Sequence, residues 1–198
     1  MIAARTPASP WTTGSWRNPP EDAVVEGGHL RVTAVEGSDA WRRTSYGFVH
    51  DSAHALLAPF PQDTALDVSF LLDYREQFDQ AGIYLHSSAE HWIKAGVEVS
   101  DGVPQVGAVV TDRVSDWSVA PVPEWGGQEV TVRMSRSGDA VTIRARRSGE
   151  AFRLVRVVPL EPGLEVSAGP YCCSPTRAGL TVTFTGWAQG EADAALHG

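Results

Sequence analysis

The sequence predicts an all-β protein, a sandwich or barrel of antiparallel strands. Apolar and polar residues alternate in about eleven or twelve short segments, which turn residues separate at intervals of about 8–12 residues, as is typical of both architectures. No segment shows a sustained apolar period of 3.6 residues, so little helix is expected. A chain of 198 residues can bury a core of its own, which favours a single domain.

The expected strands begin after an irregular N-terminal part. In chain order they cover residues 29–35, 40–47, 65–74, 79–87, 91–100, 105–111, 129–135, 140–146, 151–157, 164–168 and 178–185. Turn residues at 137–139 and 148–149 join three of these strands into an antiparallel meander. Between the second and third strands, residues 51–57 could form one helical turn before Pro59 and Pro61 end it.

Composition divides the chain into three parts. Residues 1–15 are rich in proline, threonine and serine and are expected to form a flexible lead-in. Residues 16–188 contain all the expected strands and form the predicted domain. Residues 189–198 have little to bury, so we expect a frayed tail.

Charge and cysteine usage restrict the partners and the compartment. A net charge of −8 argues against a nucleic acid or an anionic membrane as partner, because both require clustered positive charge. The chain has no apolar run typical of a secretory signal and no stretch near the roughly 18 apolar residues that span a bilayer. Cys172 and Cys173 are adjacent rather than spaced, so reduced thiols and a cytoplasmic location are expected. The oligomeric state is left open.

The segment around the expected strand 91–100 carries the most informative side chains. Alternation places one set on a single strand face, namely Trp92, Lys94, Gly96 and Glu98. A ring, a cation, a bare backbone and a carboxylate are an unusual set for a plain solvent face, whereas the residues between them are apolar and suit a core. Lys94 is also the only lysine, beside fifteen arginines. We therefore interpret this face as the floor of a ligand site.

Neighbouring segments extend the predicted site. Gln80, Gly82 and Tyr84 share one face of the preceding strand, which becomes continuous with the Lys94 face if the two strands pair. Trp117 is expected to close one rim. Gly82 and Gly96 are expected to leave open floor between larger side chains. The predicted ligand-binding residues are Gln80, Tyr84, Trp92, Lys94, Glu98 and Trp117. Trp41 is a further candidate platform, although any single ring could instead fill the core.

Six motifs occur in an order and at a spacing that resemble one protein family. They are W-R-N-P-P from Trp16, S-D-A-W-R-R-T-S-Y-G-F from Ser38, D-Q-A-G-I-Y-L from Asp79, H-W-I-K-A-G-V-E from His91, V-V-T-D-R-V-S-D-W-S from Val109 and G-P-Y-C-C-S-P from Gly169. Together they are similar to the family of unknown function that includes the fungal "regulation of enolase" protein, in the concanavalin A-like lectin/glucanase superfamily. The resemblance covers about residues 16–187 and implies a two-sheet antiparallel jelly-roll sandwich with one concave face. It implies no reaction, because the family has no general assigned activity.

Three function classes remain open. The preferred one is a protein whose concave face binds a small polar ligand, a carbohydrate or a sugar-derived metabolite, by stacking on aromatic rings. The second is an enzyme acting on such a compound, with Glu98 as acid/base and Lys94 as electrostatic stabiliser. A glycosidase would need a second carboxylate, from Asp79 or Asp116, at the required separation from Glu98. The third is a protein-interaction or regulatory module, which a flat apolar patch would favour.

No cofactor or metal is predicted. His86 and His91 flank one turn, and His50 and His54 flank a short segment, but neither pair has a third ligand at a recognisable spacing. The Gly-rich stretch after residue 101 precedes no helix and is not a phosphate-binding loop.

The two charged residues of the predicted site have two competing roles. If Lys94 and Glu98 contact a ligand, Lys94→Ala and Glu98→Gln should abolish binding and leave folding largely intact. If they belong to a buried ion pair, with each other or across strands, removing one partner should cost about 3–5 kcal/mol of stability.

Overall fold

The computed structural model describes residues 10–197, which fold almost entirely into strands. Two three-residue 3₁₀ turns, at Pro10–Thr12 and Pro123–Trp125, are the helices among them. The sixteen strands are β1 (Ser15–Arg17), β2 (Asp22–Glu26), β3 (His29–Thr33), β4 (Ala40–Arg42), β5 (Val49–Asp51), β6 (His54–Pro59), β7 (Thr64–Leu71), β8 (Gln80–Ser88), β9 (His91–Ser100), β10 (Val103–Asp112), β11 (Val114–Pro121), β12 (Glu129–Ser137), β13 (Ala140–Arg147), β14 (Arg153–Pro159), β15 (Ser167–Cys173) and β16 (Thr181–Glu191). Within residues 10–197, no helix has the length and apolar character needed to cross a bilayer.

The strands form two seven-stranded antiparallel sheets that pack face to face. The first sheet has the order β1-β6-β15-β8-β9-β10-β11, and the second has the order β14-β13-β12-β7-β16-β3-β2. The meander predicted from two turns is the β12-β13-β14 edge of the second sheet. The two-sheet antiparallel sandwich is therefore confirmed.

The main core lies between the two sheets, as alternation requires. From β9, the inward face contributes Ile93, Ala95, Val97 and Val99, each at most 4% exposed. Phe70 and Phe184 meet them from the second sheet, with ring centroids 6.3 Å apart. This packing leaves the other face of β9 directed away from the core, as predicted.

A two-stranded ribbon, β4 with β5, covers part of that outer face of the first sheet. The amide N–H of Arg42 donates to the hydroxyl of Ser115 on β11 at 2.9 Å. The guanidinium of Arg42 donates to Glu90, in the turn between β8 and β9, at 2.6 Å. These two bonds attach the ribbon to the edge strand β11 and to the turn between β8 and β9.

Several local predictions differ from the structure. The strand expected at 40–47 ends at Arg42. Residues 51–57 form no helical turn, because β6 pairs there with β1 and β15 and its backbone groups are bonded in the sheet. The strand expected at 164–168 begins at Ser167 and runs on to Cys173, through the motif that contains both cysteines. Strand β2 was not predicted. All five of its residues are exposed, so no alternation of apolar and polar residues marks it in the sequence.

Both ends of the described chain contribute to the sandwich more than expected. Trp11, within the predicted lead-in, is 5% exposed and lies 6.3 Å from Trp187, ring centre to ring centre. In the predicted tail, β16 continues to Glu191, and Asp193 binds Arg133 and Arg144. Residues 1–9 and 198 lie outside the described part, so the rest of the predicted lead-in and the final residue are not compared.

Cys172 and Cys173 are free and buried, as expected. They are adjacent on β15, so alternation sends one side chain to each face: Cys172 joins the main core and Cys173 packs under the ribbon. Burial raises the pKa of the Cys172 thiol to about 12 and also raises that of Cys173, so both thiols stay protonated. Neither has the thiolate character of a reactive cysteine.

Candidate functional site

A cavity of about 360 Å³ lies between the outer face of the first sheet and the ribbon. We refer to it as the ribbon cavity. Its lining combines rings with a few polar groups and consists of Gly37, Asp39, Trp41, Tyr46, Phe48, His50, Phe78, Gln80, Lys94, Glu98, Val109, Trp117, Pro175 and Thr176. The volume and the composition are both typical of a small-molecule pocket, since such pockets measure roughly 300–1,000 Å³ and are mostly apolar with few polar groups.

Lys94 lies at the base of the cavity in a buried polar network. Its ammonium donates to Asp39 Oδ1 at 2.9 Å and to Gln80 Oε1 at 2.8 Å, and the lysine is 4% exposed. Burial alone would lower the pKa of Lys94, but Asp39, together with smaller contributions from Cys173 and Glu98, more than offsets this, and the pKa is raised. Lys94 is therefore a charged, paired residue at neutral pH.

Asp39 reaches Lys94 because the loop before β4 is tied to the end of β15. Gly37 N–H donates to Ser174 O, and Ser174 N–H donates to the hydroxyl of Ser38, each at 2.9 Å. Asp39 Oδ1 also accepts from the N–H of Ala40 at 2.7 Å, which orients the carboxylate. The partner of Lys94 is thus 55 residues away in the chain.

Glu98 is the second carboxylate of the cavity and has a different environment. Its carboxylate has no hydrogen bond or ion pair with any other residue in the range 10–197, although β9 places it partly buried at the cavity wall. Burial raises the pKa of Glu98 to about 7; Lys94 opposes this rise and Asp39 adds to it. Glu98 can therefore accept or donate a proton near neutral pH.

Aromatic rings form the wall opposite these charges. Trp41 meets Tyr46 at 66° and Trp117 at 88°, with ring centroids 5.7 Å and 6.3 Å apart. Phe48 stacks on Tyr46 with an interplanar angle of 10°. Tyr46, Phe48 and Trp117 are 58%, 43% and 37% exposed, so ring surface remains accessible at the cavity mouth.

Four of the six predicted ligand residues line the ribbon cavity, and two do not. Gln80, Lys94, Glu98 and Trp117 are in the lining. Trp92 and Tyr84 lie on the predicted face but are 2% and 1% exposed, stacked on each other beneath the ribbon at 5.5 Å. The expectation that one pocket contains all six is wrong for these two rings, because the ribbon that covers them has no local sequence signal.

Gly82 and Gly96 do not leave an open floor. They pair across β8 and β9, and a Cβ atom on either would lie 2.0 Å from a backbone oxygen of the partner strand. Beside Gly96 and Gly107 only about 10 Å³ is free, which is room for roughly one water. The absence of side chains permits close approach of the strands rather than entry of a ligand.

Gly82→Ala is therefore expected to destabilise the protein by about 1–3 kcal/mol or more, because the backbone of β9 must move to admit the methyl group. Gly190→Ala is the matched control, since its Cβ would meet nothing within 4 Å. Denaturant unfolding of both variants tests this. Equal stability of Gly82→Ala and Gly190→Ala would contradict the close approach of β8 and β9 at Gly82.

The carboxylates considered as catalytic partners of Glu98 lie outside the cavity lining. Asp79 is fully buried and accepts from the Nε of Arg177 at 3.1 Å. Asp116, in the middle of β11, is exposed and pairs with Arg156 of β14 in the second sheet at 2.8 Å. Lys94 forms an ion pair with neither of these residues; among residues 10–197 its ion pair is with Asp39.

His54 and His91 have separate partners. His54 accepts from the N–H of Val35 at 3.0 Å, and His91 lies 3.0 Å from Asp112. In the described range, no three His, Cys, Asp or Glu side chains are grouped as a metal site requires.

Sequence reasoning missed most of the ribbon's contribution. Asp39, Tyr46, Phe48 and His50 were not assigned to the site. The only signal was that aromatic residues recur at 41, 46 and 48 in one short segment. Alternation within that segment does not tell whether the rings face a core or a cavity.

Comparison with known proteins agrees with the fold. A family model described as "Protein of unknown function (DUF1349)" matches residues 16–192. "Regulation of enolase protein 1" of Saccharomyces cerevisiae is 34% identical over 176 residues, which are 88% of this chain and 87% of that protein.

Two solved structures illustrate the range of structural similarity. A functionally unknown protein from Saccharomyces cerevisiae superposes with a TM-score of 0.86 and 32% identity, over 93% of this chain and 99% of the other. Lectin I-B4 from Griffonia simplicifolia has a TM-score of 0.60 and 13% identity, over 90% and 93% of the two chains, and shares the fold alone. From the family match and the yeast relative, we conclude that the chain belongs to the DUF1349 family.

Proposed function

We propose that the protein binds a small polar ligand, a carbohydrate or sugar-derived metabolite, in the ribbon cavity. The observation that carries the proposal is the combination of accessible aromatic rings with buried hydrogen-bonding groups in one enclosure of about 360 Å³. Sugar rings have apolar C–H faces that pack on aromatic rings, and their hydroxyls need precisely placed donors and acceptors.

Polar groups suited to hydroxyls remain available at the base. An ammonium group has three donors, and Lys94 uses two of them on Asp39 and Gln80. Glu98 offers acceptor oxygens without an internal partner in the described chain. A neutral polyol could satisfy both groups while a ring of the ligand stacks on Trp117.

A thermal-shift screen with neutral sugars, followed by calorimetry, tests the proposal, because a ligand that binds only the native state raises its stability. Trp117→Ala should weaken binding of a screened sugar by about tenfold, through loss of roughly 1–2 kcal/mol of ring contact. Leu154→Ala is the control, since Leu154 is an exposed apolar residue of the second sheet. Unchanged affinity in Trp117→Ala would contradict stacking in this cavity.

A second candidate function is an enzyme acting on the same class of compound. The observation that favours it is Glu98, whose pKa of about 7 suits a general acid/base near neutral pH, with Lys94 as a positive charge nearby. Asp39 is the other carboxylate of the described lining, and it is engaged by Lys94. Chemical change of a bound sugar, abolished in Glu98→Gln while binding persists, would distinguish this candidate from simple binding.

A further inference from the structure

When Glu98 is ionised, the ribbon cavity contains one negative charge more than its own residues balance. Among residues 10–197, its charged lining residues are Lys94, Asp39 and Glu98, with His50 as the single histidine. Lys94 and Asp39 neutralise each other in a 2.9 Å ion pair. Glu98 is left without a cationic partner within 4.0 Å in this range, and an unpaired carboxylate out of water is costly.

We propose that the ligand carries a positively charged nitrogen, as an amino sugar does, and that this nitrogen pairs with Glu98 against the rings of Trp41 and Trp117. This inference rests on the proposed function and names the class of ligand. The ligand itself supplies the counter-charge that the protein lacks.

The rings have the arrangement that favours a cation. Trp41 and Trp117 meet at 88°, so the face of one ring and the edge of the other form a corner beside the polar base. Tyr46 adds a third ring at 66° to Trp41. Aromatic faces attract cations through their quadrupole, most strongly for tryptophan and where water is excluded. An uncharged sugar gains stacking from the same rings and can donate hydroxyl hydrogen bonds to Glu98, but it supplies no counter-charge for the carboxylate.

Anionic ligands do not suit this cavity. A sugar acid or a phosphorylated sugar would need a free cation, but the charge of Lys94 is already compensated by Asp39. The anion would also approach the carboxylate of Glu98, and like charges at close range repel. Of the sugar derivatives considered, the amine-bearing class is therefore the one that the cavity favours.

The test compares four probes by calorimetry at pH 7. D-glucosamine carries a ring and a charged nitrogen, N-acetyl-D-glucosamine carries the same ring with an uncharged nitrogen, D-glucose has no nitrogen, and choline has the charge without the ring. We expect glucosamine to bind at least tenfold more tightly than glucose and N-acetylglucosamine. Glu98→Gln should reduce the affinity for glucosamine about tenfold and remove its preference over glucose, because an amide still hydrogen-bonds to hydroxyls but carries no charge. Glu26→Gln, on an exposed strand of the other sheet, should change neither.

Each outcome decides between the two proposals. If glucose and glucosamine bind equally, or if Glu98→Gln retains the preference for glucosamine, the charged-ligand inference is overturned while sugar binding stands. If choline binds and no sugar does, the charge requirement stands and the carbohydrate proposal fails. If none of the four probes binds at tens of millimolar, both are overturned.

Discussion

Lys94→Ala is expected to lower the free energy of unfolding by about 3–5 kcal/mol. The substitution leaves Asp39 and Gln80 without their partner in a site where Lys94 is 4% exposed, and a buried charge that loses its counter-ion is strongly destabilising. The alternative expectation, that Lys94 can be removed with folding largely intact, treats it as a surface ligand contact. The buried ion pair with Asp39 favours a structural role for Lys94.

Urea unfolding of the wild type and of Lys94→Ala measures this effect. Arg31→Ala is the control, because the pair of Arg31 with Glu26 is exposed and 3.9 Å long, so its loss should cost less than about 0.5 kcal/mol. A double variant, Lys94→Met with Asp39→Asn, should recover part of the loss by removing both charges. A cost below about 1 kcal/mol for Lys94→Ala would show that water or a rearranged side chain replaces the lysine.

Glu98→Gln is expected to have the opposite effect, stabilising the protein by up to about 3 kcal/mol at pH 8. Burial, with Lys94 opposing, raises the pKa of Glu98 from an ordinary 4.5 to about 7, and each pKa unit corresponds to about 1.4 kcal/mol. The raised pKa means that the folded state binds the proton more tightly than the unfolded state. Stability is therefore lost as pH rises from about 4.5 to about 7, and the full cost is present above pH 7.

Melting temperatures of the wild type and of Glu98→Gln, measured at pH 4 and pH 8, test the sign and the size of this stability change. At pH 4 the wild-type carboxyl is protonated in both states, so Glu98→Gln should match the wild type, whereas at pH 8 it should melt at a higher temperature. Glu26→Gln should have no such pH-dependent effect, since Glu26 is exposed. Equal effects of Glu98→Gln at both pH values would contradict the raised pKa.

The opposite signs expected for Lys94 and Glu98 separate structure from function within one cavity. Lys94 is part of a satisfied network that holds the loop before the ribbon. Glu98 is an ionisable group that the protein keeps at a cost to stability, which is common for residues whose role is to bind or to react. Lys94 and Glu98 lie four residues apart on the same face of β9, so strand alternation gave no indication that their roles differ.

The sequence alone predicted what depends on local periodicity. Strand parity placed Ile93 and Val97 in the core and Lys94 and Glu98 on the opposite face, because successive side chains of a strand alternate whatever the strand packs against. Turn spacing predicted the all-β class, and six ordered motifs indicated the family. These features depend on neighbours in the chain, so they can be read without coordinates.

Only the tertiary structure decided what covers that face. Asp39 meets Lys94 across 55 residues, and the ribbon buries Trp92 and Tyr84 while it places Trp41 beside Trp117. Gly82 and Gly96 serve close strand approach rather than ligand entry because two strands meet at that point. Burial, charge balance and the pKa of Glu98 are properties of surroundings assembled from distant segments, and alternation within one strand contains no information about them.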